Sequence, residues 1–496
     1  MFTGSAYYFL GIGGIGMSAL ARYVKAQGGS VAGYDRTPSP LTRQLEKEGI
    51  PVTYTDDEAA FSRWFNTLTA APDECLLTVV WTPAVPKDTR IYRYLQQRPR
   101  TTLMKRAELL GQITRTQRAL CVAGTHGKTS TSTLLAHILQ QTPQGTNAFL
   151  GGISQNYQTN LIISPHSSLS VVEADEYDRS FLHLHPAITV ITAIDPDHLD
   201  IYGTAEAYQE GFNQYAALVQ EAIVLKKGYH LTLPATPKAP AIYTYSANEH
   251  DPDNATADFY ADRIRLTNGH LLFDWHISSK VVSERSHTDT SEPIRLTDLE
   301  LNVPVLFNVE NATAAMAVAW LAGADLNALR IGLQTYQGVQ RRFNMLIRTP
   351  QLTYIDDYAH HPEELRTAIQ SAKSIYPNRH LMGIFQPHLF SRTRDLNDGF
   401  VEVLSLLDEL ILLPIYPARE QPIEGVTSAR LAEQIAARKG INTYAVPVLD
   451  ALGSEQPSFL TYLQQRIHAH PNVVLLTLGA GSIDRLVPIL TQRLHA

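Results

Sequence analysis

Cysteine is nearly missing from this chain. Cys75 and Cys121 are the two thiols among 496 residues, each inside a short apolar run, too few for a disulfide framework, so a reducing compartment is expected. Long apolar runs are missing too: none reaches the roughly 18 residues that a membrane-crossing helix needs. The first residues carry no charged segment leading into an apolar one, as a secretory leader would. Both absences point to a cytoplasmic protein with no membrane partner. Nor is there a basic block. Lys and Arg number 41 against 48 Asp and Glu, a net charge of −7, which argues against nucleic acid and membrane surfaces as partners. A small anionic substrate must then be held by local geometry. No internal repeat and no low-complexity tract interrupts the sequence.

At roughly 150 residues per domain the length suggests about three domains. Short apolar runs alternate with helical patterns over most of the chain, the signature of an α/β protein with parallel sheets covered by helices. After "TTLMKRAELLGQITRTQ" the run "RALCVAG" opens a second nucleotide-type turn, and after "NATAAMAVAWLAGADLNALRIGLQTY" the chain reaches "QGVQRRFNML" and another strand. The expected domains are therefore 1–108, 109–336 and 337–496. Between about 230 and 300 the sequence is polar and turn-rich, with alternating fragments such as "IRLTNGHLLFDW". Strands and hairpins decorating the surface of the middle domain are expected there.

In "YYFLGIGGIGMSALARYV" an apolar run leads through Gly11, Gly13 and Gly16 into helix-favouring residues, the strand-turn-helix spacing of a dinucleotide site. Asp35 ends the next apolar run, 19 positions past Gly16, close to where an NAD enzyme places its ribose-binding acid. An oxidoreductase is one reading of these residues.

"CVAGTHGKTSTSTLLAHIL" makes a second case. A strand turns through Gly124, Thr125, His126 and Gly127 into a helix near Lys128, directing backbone N–H groups and the positive helix end at an anion. Lys128 adds a point charge for the outer phosphates, and Thr129, followed by Ser130, supplies a hydroxyl suited to Mg²⁺. Gly124 and Gly127 stand closer than the usual phosphate-loop spacing allows. The run "SLSVVEADEYD" ends in Glu173, resembling the acid that closes the neighbouring strand in such ATPases. "AITVITAIDPDHLDIYG" ends in Asp195, Asp197, His198 and Asp200, with His198 either a surface residue or a metal ligand at the carboxyl end of a strand. An ATP-cleaving site is superfluous in a simple dehydrogenase, so the N-terminal glycines need another ligand.

Seven stretches stand in order: Gly11 to Ser18 with Gly14 and Ile15 in its turn, Gly124 to Thr129, Glu173 to Glu176, Asp197 to Asp200, Asn308 to Ala312, Arg341 to Phe343, and Asp356 to Pro362. In these the chain resembles the Mur ligases over nearly its whole length. The resemblance implies three α/β domains: an N-terminal Rossmann-like domain, a central P-loop-type ATPase domain with extra strands, and a C-terminal Rossmann-like domain. It implies that Gly11, Gly13, Gly14, Ile15 and Gly16 approach the diphosphate of a UDP-sugar, with Asp35 near its uridine nucleotide. The shared physics is a diphosphate at a helix N-terminus, without hydride chemistry.

The implied activity is ATP-dependent amide formation. A muramyl carboxylate attacks the γ-phosphate of ATP, and an amine then displaces phosphate from the acyl phosphate. Lys128 would hold the β- and γ-phosphates, Thr129 and Glu173 one Mg²⁺, and His198 a second. The lack of a lysine where many relatives carry a carbamylated one fits the branch that adds L-alanine to UDP-N-acetylmuramate. Asn308 and Asn311 share a helix face, where they would read adenine, or Asn308 would cap the helix. Arg342, or its neighbour Arg341, would reach the transferring phosphoryl group. Asp356 would face the phosphates or their metal. Tyr358, His360, His361, His388, Arg392 and Arg394 would bind the amino acid. Ala359 replaces the family's glycine.

Sites spread over three domains imply closure during the reaction. The expected partners are ATP, UDP-N-acetylmuramate and L-alanine, with the chain a monomer or weak homodimer. A ligase that adds a preformed tripeptide shares most of these motifs, and a non-catalytic nucleotide-binding regulator is a third class.

Overall fold

The computed structural model describes residues 2–68, 76–197, 199–235, 239–267, 270–286, 292–418, 420–439, 441–446 and 457–495. These form three sheets of five, ten and six strands. The chain divides into two compact units, Met1–Val303 with Phe307–Gln337, and Pro304–Leu306 with Gly338–Ala496. Among the described residues no helix is long and apolar enough to cross a membrane. Cys121 is buried in a core strand, and Cys75 lies outside the described residues.

The first sheet is wholly parallel, in the order Val52–Thr53, Ser30–Tyr34, Ala6–Leu10, Leu77–Trp81, Thr101–Lys105. Its central strand, Ala6–Leu10, is buried at every position, as a strand covered on both faces must be. Connections leave this strand in opposite directions, and open sheets bind ligands beyond the carboxyl end at such a point. There the chain turns through glycines into the helix Ile15–Ala26.

The second sheet shares the first unit. Arg118–Ala123 lies between Pro186–Ile191 and Leu169–Glu173, all parallel. The polar region near 230–300 does not decorate this sheet but continues it. Ala241–Ser246, Phe259–Thr267, His270–Ile277 and Ile294–Leu301 add four strands to one side. Their inward positions explain why: Tyr245, Phe259, Phe273, Trp275, Leu299 and Leu301 are fully or almost fully buried, and alternation with polar residues hides them in the sequence. Trp275 stacks on Phe259 with ring centroids 5.8 Å apart. The helix Phe307–Ala322 packs over them and against the helix Lys128–Gln140. It is buried around nearly its whole circumference, and its alanines allow that close approach.

Helix Ile15–Ala26 also lies on the second sheet, against Asn147–Ser154 and Thr159–Ile162. Asn160, 0% exposed, makes the connection. Its amide donates to the Ile15 carbonyl and, at 3.0 Å, to Ser18 Oγ, while its oxygen accepts from Arg22 Nη1 at 2.6 Å. The expected boundary near residue 108 falls inside the helix Arg106–Thr116, which leads directly into the second sheet.

The second unit carries the third sheet, ordered Asn344–Arg348, Leu352–Asp357, Val473–Leu478, His380–Phe385, Glu409–Leu412, Asn442–Ala445. The first pair is antiparallel and the rest parallel. His380, Glu409 and His470 gather at the amino ends of its strands. Arg466 already holds that carboxylate through two nitrogens, at 2.7 and 3.0 Å, and the imidazoles stack at 3.6 Å, so this is a packed polar corner.

Candidate active site

Gly127 caps the helix Lys128–Gln140 with a left-handed φ of +79°, and no side chain bonds to the helix end. A methyl group on it would come within 2.6 Å of Asn311 Oδ1. Conformation and packing both demand glycine, and a cap without a side chain leaves the positive helix end open to an anion. The loop before it is pinned. Thr125 Oγ1 donates to the Asp195 carbonyl at 2.8 Å and meets the Tyr208 hydroxyl at 2.9 Å, and the His126 carbonyl accepts from Thr192 Oγ1. The carbonyl of Ser130 accepts from the Tyr336 hydroxyl at 3.3 Å.

Lys128 Nζ donates to the Gly124 carbonyl at 2.7 Å, to that of Thr125 at 3.4 Å and to Glu176 Oε1 at 2.8 Å. Burial pushes the Glu176 carboxyl up, and Lys128 opposes that rise. An incoming phosphate must take over some of these lysine contacts. Glu173 stands beside them: Oε1 accepts from Thr129 Oγ1 at 3.1 Å, and Oε2 accepts from the Gly151 N–H at 3.1 Å. A methyl on Gly151 would press to 2.2 Å from that oxygen, so glycine gives the carboxylate its place. A hydroxyl and a carboxylate brought together offer hard oxygen donors and fit Mg²⁺. His198 lies outside the described residues, and Asp195 accepts from the Tyr229 hydroxyl at 2.9 Å.

Asn308 and Asn311 lie on one face of the helix Phe307–Ala322, as their spacing requires. Asn308 stands inside the helix and does not cap it. Asn311 Nδ2 donates to Asn308 Oδ1 at 3.1 Å, and Thr131 Oγ1 donates to Asn311 Oδ1 at 3.2 Å. The pair therefore ties its helix to the helix of the phosphate loop.

At the first glycine turn the N–H groups of Gly11 and Ile12 donate to the Tyr34 carbonyl at 2.8 and 3.0 Å. Asp35 Oδ2 accepts from the Gly13 N–H at 2.8 Å and Oδ1 from the Thr37 N–H at 3.1 Å. Asp35 thus shapes the turn itself, each carboxylate oxygen keeping capacity for a further hydrogen bond. Gly14 caps the next helix without a side-chain bond. Gly16 packs against Arg106, whose Nη2 lies 3.2 Å from Asp175 Oδ2.

In the second unit the loop after Leu352–Asp357 gathers charge and aromatic rings. Arg341, at φ +62°, donates from Nη2 to the Gly479 carbonyl and places Nε 3.5 Å from Asp356 Oδ2. Asp356 is 1% exposed and also accepts from Thr477 Oγ1 at 2.7 Å. Burial raises its carboxyl, with Arg341 acting against that. It is buried at the carboxyl end of its strand, beside Arg341. Arg342 has its guanidinium 5.3 Å from the Tyr358 ring centroid, and its charge acts to lower the carboxyls of the buried Asp357 and of Glu364.

His361 is a helix cap: its side chain accepts from the Glu363 N–H ahead of Pro362–Ile375. His360 instead joins Tyr358, ring centroids 5.3 Å apart, to His388 at 5.9 Å, and His388 stacks on Tyr416 at 5.5 Å. His388 Nδ1 and Arg392 Nη1 are buried without hydrogen-bond partners among the described residues. Burial, then the charges of His360 and Arg392, push the His388 imidazole down to about 4. Arg394 departs from this group; it pairs with its neighbour Asp395 at 2.7 Å on the surface.

The models of three consecutive domains match: the Mur ligase family catalytic domain over residues 6–118, the Mur ligase middle domain over 122–319, and the glutamate ligase domain over 341–481. The chain belongs to the Mur ligase family. It is 47% identical over 485 residues to the UDP-N-acetylmuramate–L-alanine ligase of Parabacteroides distasonis, covering 97% of this chain and 96% of that protein. It is likewise 47% identical to that of Porphyromonas gingivalis, over 98% of both. Among solved structures, the UDP-N-acetylmuramate-alanine ligase MurC of Thermotoga maritima superimposes with a TM-score of 0.75 at 25% identity, covering 99% of each chain. A murein peptide ligase of Psychrobacter arcticus gives 0.64 at 22%, covering 99% of this chain and 98% of that one.

The fold of this Mur ligase is the expected three-domain α/β arrangement. Glu176, the buried partner of Lys128, and Gly151, the seat of Glu173, were missed in the sequence. Neither has a local signature: Glu176 is one acid among several in "EADEYD", and Gly151 is one glycine in a strand.

Proposed function

We propose that this Mur ligase joins L-alanine to the carboxylate of UDP-N-acetylmuramate, converting ATP to ADP and phosphate. The near full-length similarity to alanine ligases carries the reading. The phosphate loop supports it. Lys128 neutralises the β- and γ-phosphates as the carboxylate attacks, and the N–H groups after Gly127 cradle them. Thr129 and Glu173 would hold one Mg²⁺ and His198 a second, and the metal would supply charge that offsets the phosphates. Asn308 and Asn311 set the adenine side of the site through Thr131. Arg342 stabilises negative charge on the transferring phosphoryl group. Arg392 pairs with the alanine carboxylate, since its buried Nη1 has no acceptor among the described residues. His360 and Tyr358 wall that site, and the glycine turn takes the sugar-nucleotide diphosphate. The reaction belongs in the cytoplasm, where these substrates meet.

The test is phosphate release from ATP and Mg²⁺ with UDP-N-acetylmuramate and L-alanine, a preformed tripeptide, or no acceptor. Release that needs both the sugar nucleotide and L-alanine is expected. Preference for the tripeptide would move the chain to the peptide-adding branch, and no coupled release would return it to a nucleotide-binding role.

A further inference from the structure

We propose that Arg106 is the side-chain cation that reads the diphosphate of the sugar nucleotide and that Asp175 holds it in position, an inference that rests on the ligase reading. The glycine turn supplies no cation itself: residues 11–18 are uncharged, and the nearby Asp35 is an acid bonded to Gly13. Backbone N–H groups alone would have to balance a diphosphate beside that carboxylate. Arg106 fills the need. It opens the helix Arg106–Thr116 and lays its guanidinium along Gly16, so close that a methyl there would stand 3.0 Å from Nη1.

Two further observations point to a ligand at this place. A methyl on Gly14 would meet nothing in the protein nearer than 3.4 Å, and Gly14 has ordinary extended angles, φ −64° and ψ 143°. Neither packing nor backbone conformation calls for glycine there, whereas an approaching phosphate does. The Arg106 side chain is 24% exposed and has Asp175 as its one hydrogen-bond partner among the described residues, leaving most of the guanidinium donors to face an anion.

The restraint on Arg106 is also unusual. Lys105 Nζ lies 2.9 Å from Asp178 Oδ2, so consecutive cations grip two acids in the segment that follows Glu173. Asp178 and Arg179 within it both have positive φ, 52° and 53°, a conformation rare for residues with side chains. Arg106 thereby touches the glycine turn on one side and the segment after the metal-side acid on the other. A lysine offers charge but not the planar two-sided fork this demands.

The experiment uses the full-length protein. It combines calorimetric titration with UDP in the absence of ATP and initial rates of L-alanine-dependent phosphate release, for wild type, Arg106→Ala, Arg106→Lys and Asp175→Asn. Loss of Arg106 is expected to weaken UDP roughly 10- to 100-fold, the worth of hydrogen bonds to a charged group. The KM for the sugar nucleotide should rise by a similar factor while the KM for ATP stays put. Arg106→Lys should recover part of the loss, and Asp175→Asn should fall between. UDP affinity and sugar-nucleotide KM within twofold of wild type in both Arg106 variants would overturn the assignment, as would a KM for ATP rising in step. A wild type that binds UDP in an Arg106-dependent way but turns over no L-alanine would support the assignment and remove the ligase reading. Normal wild-type turnover with an indifferent Arg106 would remove the assignment alone.

Discussion

Lys128 Nζ lies 2.8 Å from Glu176 Oε1, and the side chain of that glutamate is 1% exposed. The lysine proposed to meet the nucleotide is thus also a counter-charge of a buried acid. Removing one partner of a buried ion pair costs about 3–5 kcal/mol in such settings. Lys128→Ala is expected to lower thermal stability as well as abolish turnover. The double variant Lys128→Ala with Glu176→Gln should regain most of the stability and none of the activity, as melting curves and phosphate release will report. Equal stability of the two variants would show that the pair is not coupled.

Gly151 should behave as part of the metal site although it offers no ligand. Gly151→Ala places a methyl against Glu173 Oε2, so it is expected to raise the Mg²⁺ concentration for half-maximal rate, as are Thr129→Val and Glu173→Gln. Each shift should be roughly tenfold or more, the effect of disturbing a metal ligand or its support. A Mg²⁺ titration of phosphate release checks it, and an unchanged midpoint in Gly151→Ala would contradict the arrangement.

Arg341 and Arg342 should separate cleanly. Arg341 is bound to the Gly479 carbonyl and the buried Asp356, so Arg341→Ala is expected to lower the melting temperature of the protein. Arg342→Ala should leave the melting temperature near wild type and lower kcat by roughly 10²–10³-fold, as loss of a charge-stabilising donor does. The reverse pattern would exchange their roles.

The motifs that were legible are those where the backbone itself dictates the residue: the two glycine turns, the lysine after the second, and Glu173 at a strand end. What stayed hidden depends on partners far apart in the chain. Thr131 and Asn311 are 180 positions apart, Lys128 and Glu176 are 48 apart, and no local pattern joins them. Asp35 was legible as the residue that follows a strand, but its hydrogen bond to the Gly13 N–H, 22 positions back, was not. Arg394 follows the same strand as Arg392, yet the helical turn between them sends one to the cluster and the other to solvent. The extra strands near 230–300 were legible, but not that they continue the central sheet, because their buried residues alternate with polar ones.

His388 supplies a pH prediction. Its imidazole, pushed down to about 4, lies below the ordinary value near 6.5, so the unfolded chain takes up the proton first. Its contribution to stability is present above about pH 6.5 and is lost as pH falls from there through about 4. His137, lowered to about 4 by burial, acts in the same sense. Histidine NMR titration should show no His388 midpoint between about pH 5 and 8, and His388→Gln should lessen the loss of stability on acidification. A midpoint near 6.5 would contradict the buried, unpartnered setting of this ring.

The most direct measurement of the central claim follows an oxygen atom. UDP-N-acetylmuramate labelled with oxygen-18 in its carboxylate is incubated with the protein, ATP, Mg²⁺ and L-alanine, and the released phosphate is weighed by mass spectrometry. If this Mur ligase activates the carboxylate by phosphorylation, each phosphate carries one labelled oxygen and its release requires L-alanine. Amide product accompanied by unlabelled phosphate would contradict the mechanism, and the absence of L-alanine-dependent product would contradict the assignment itself.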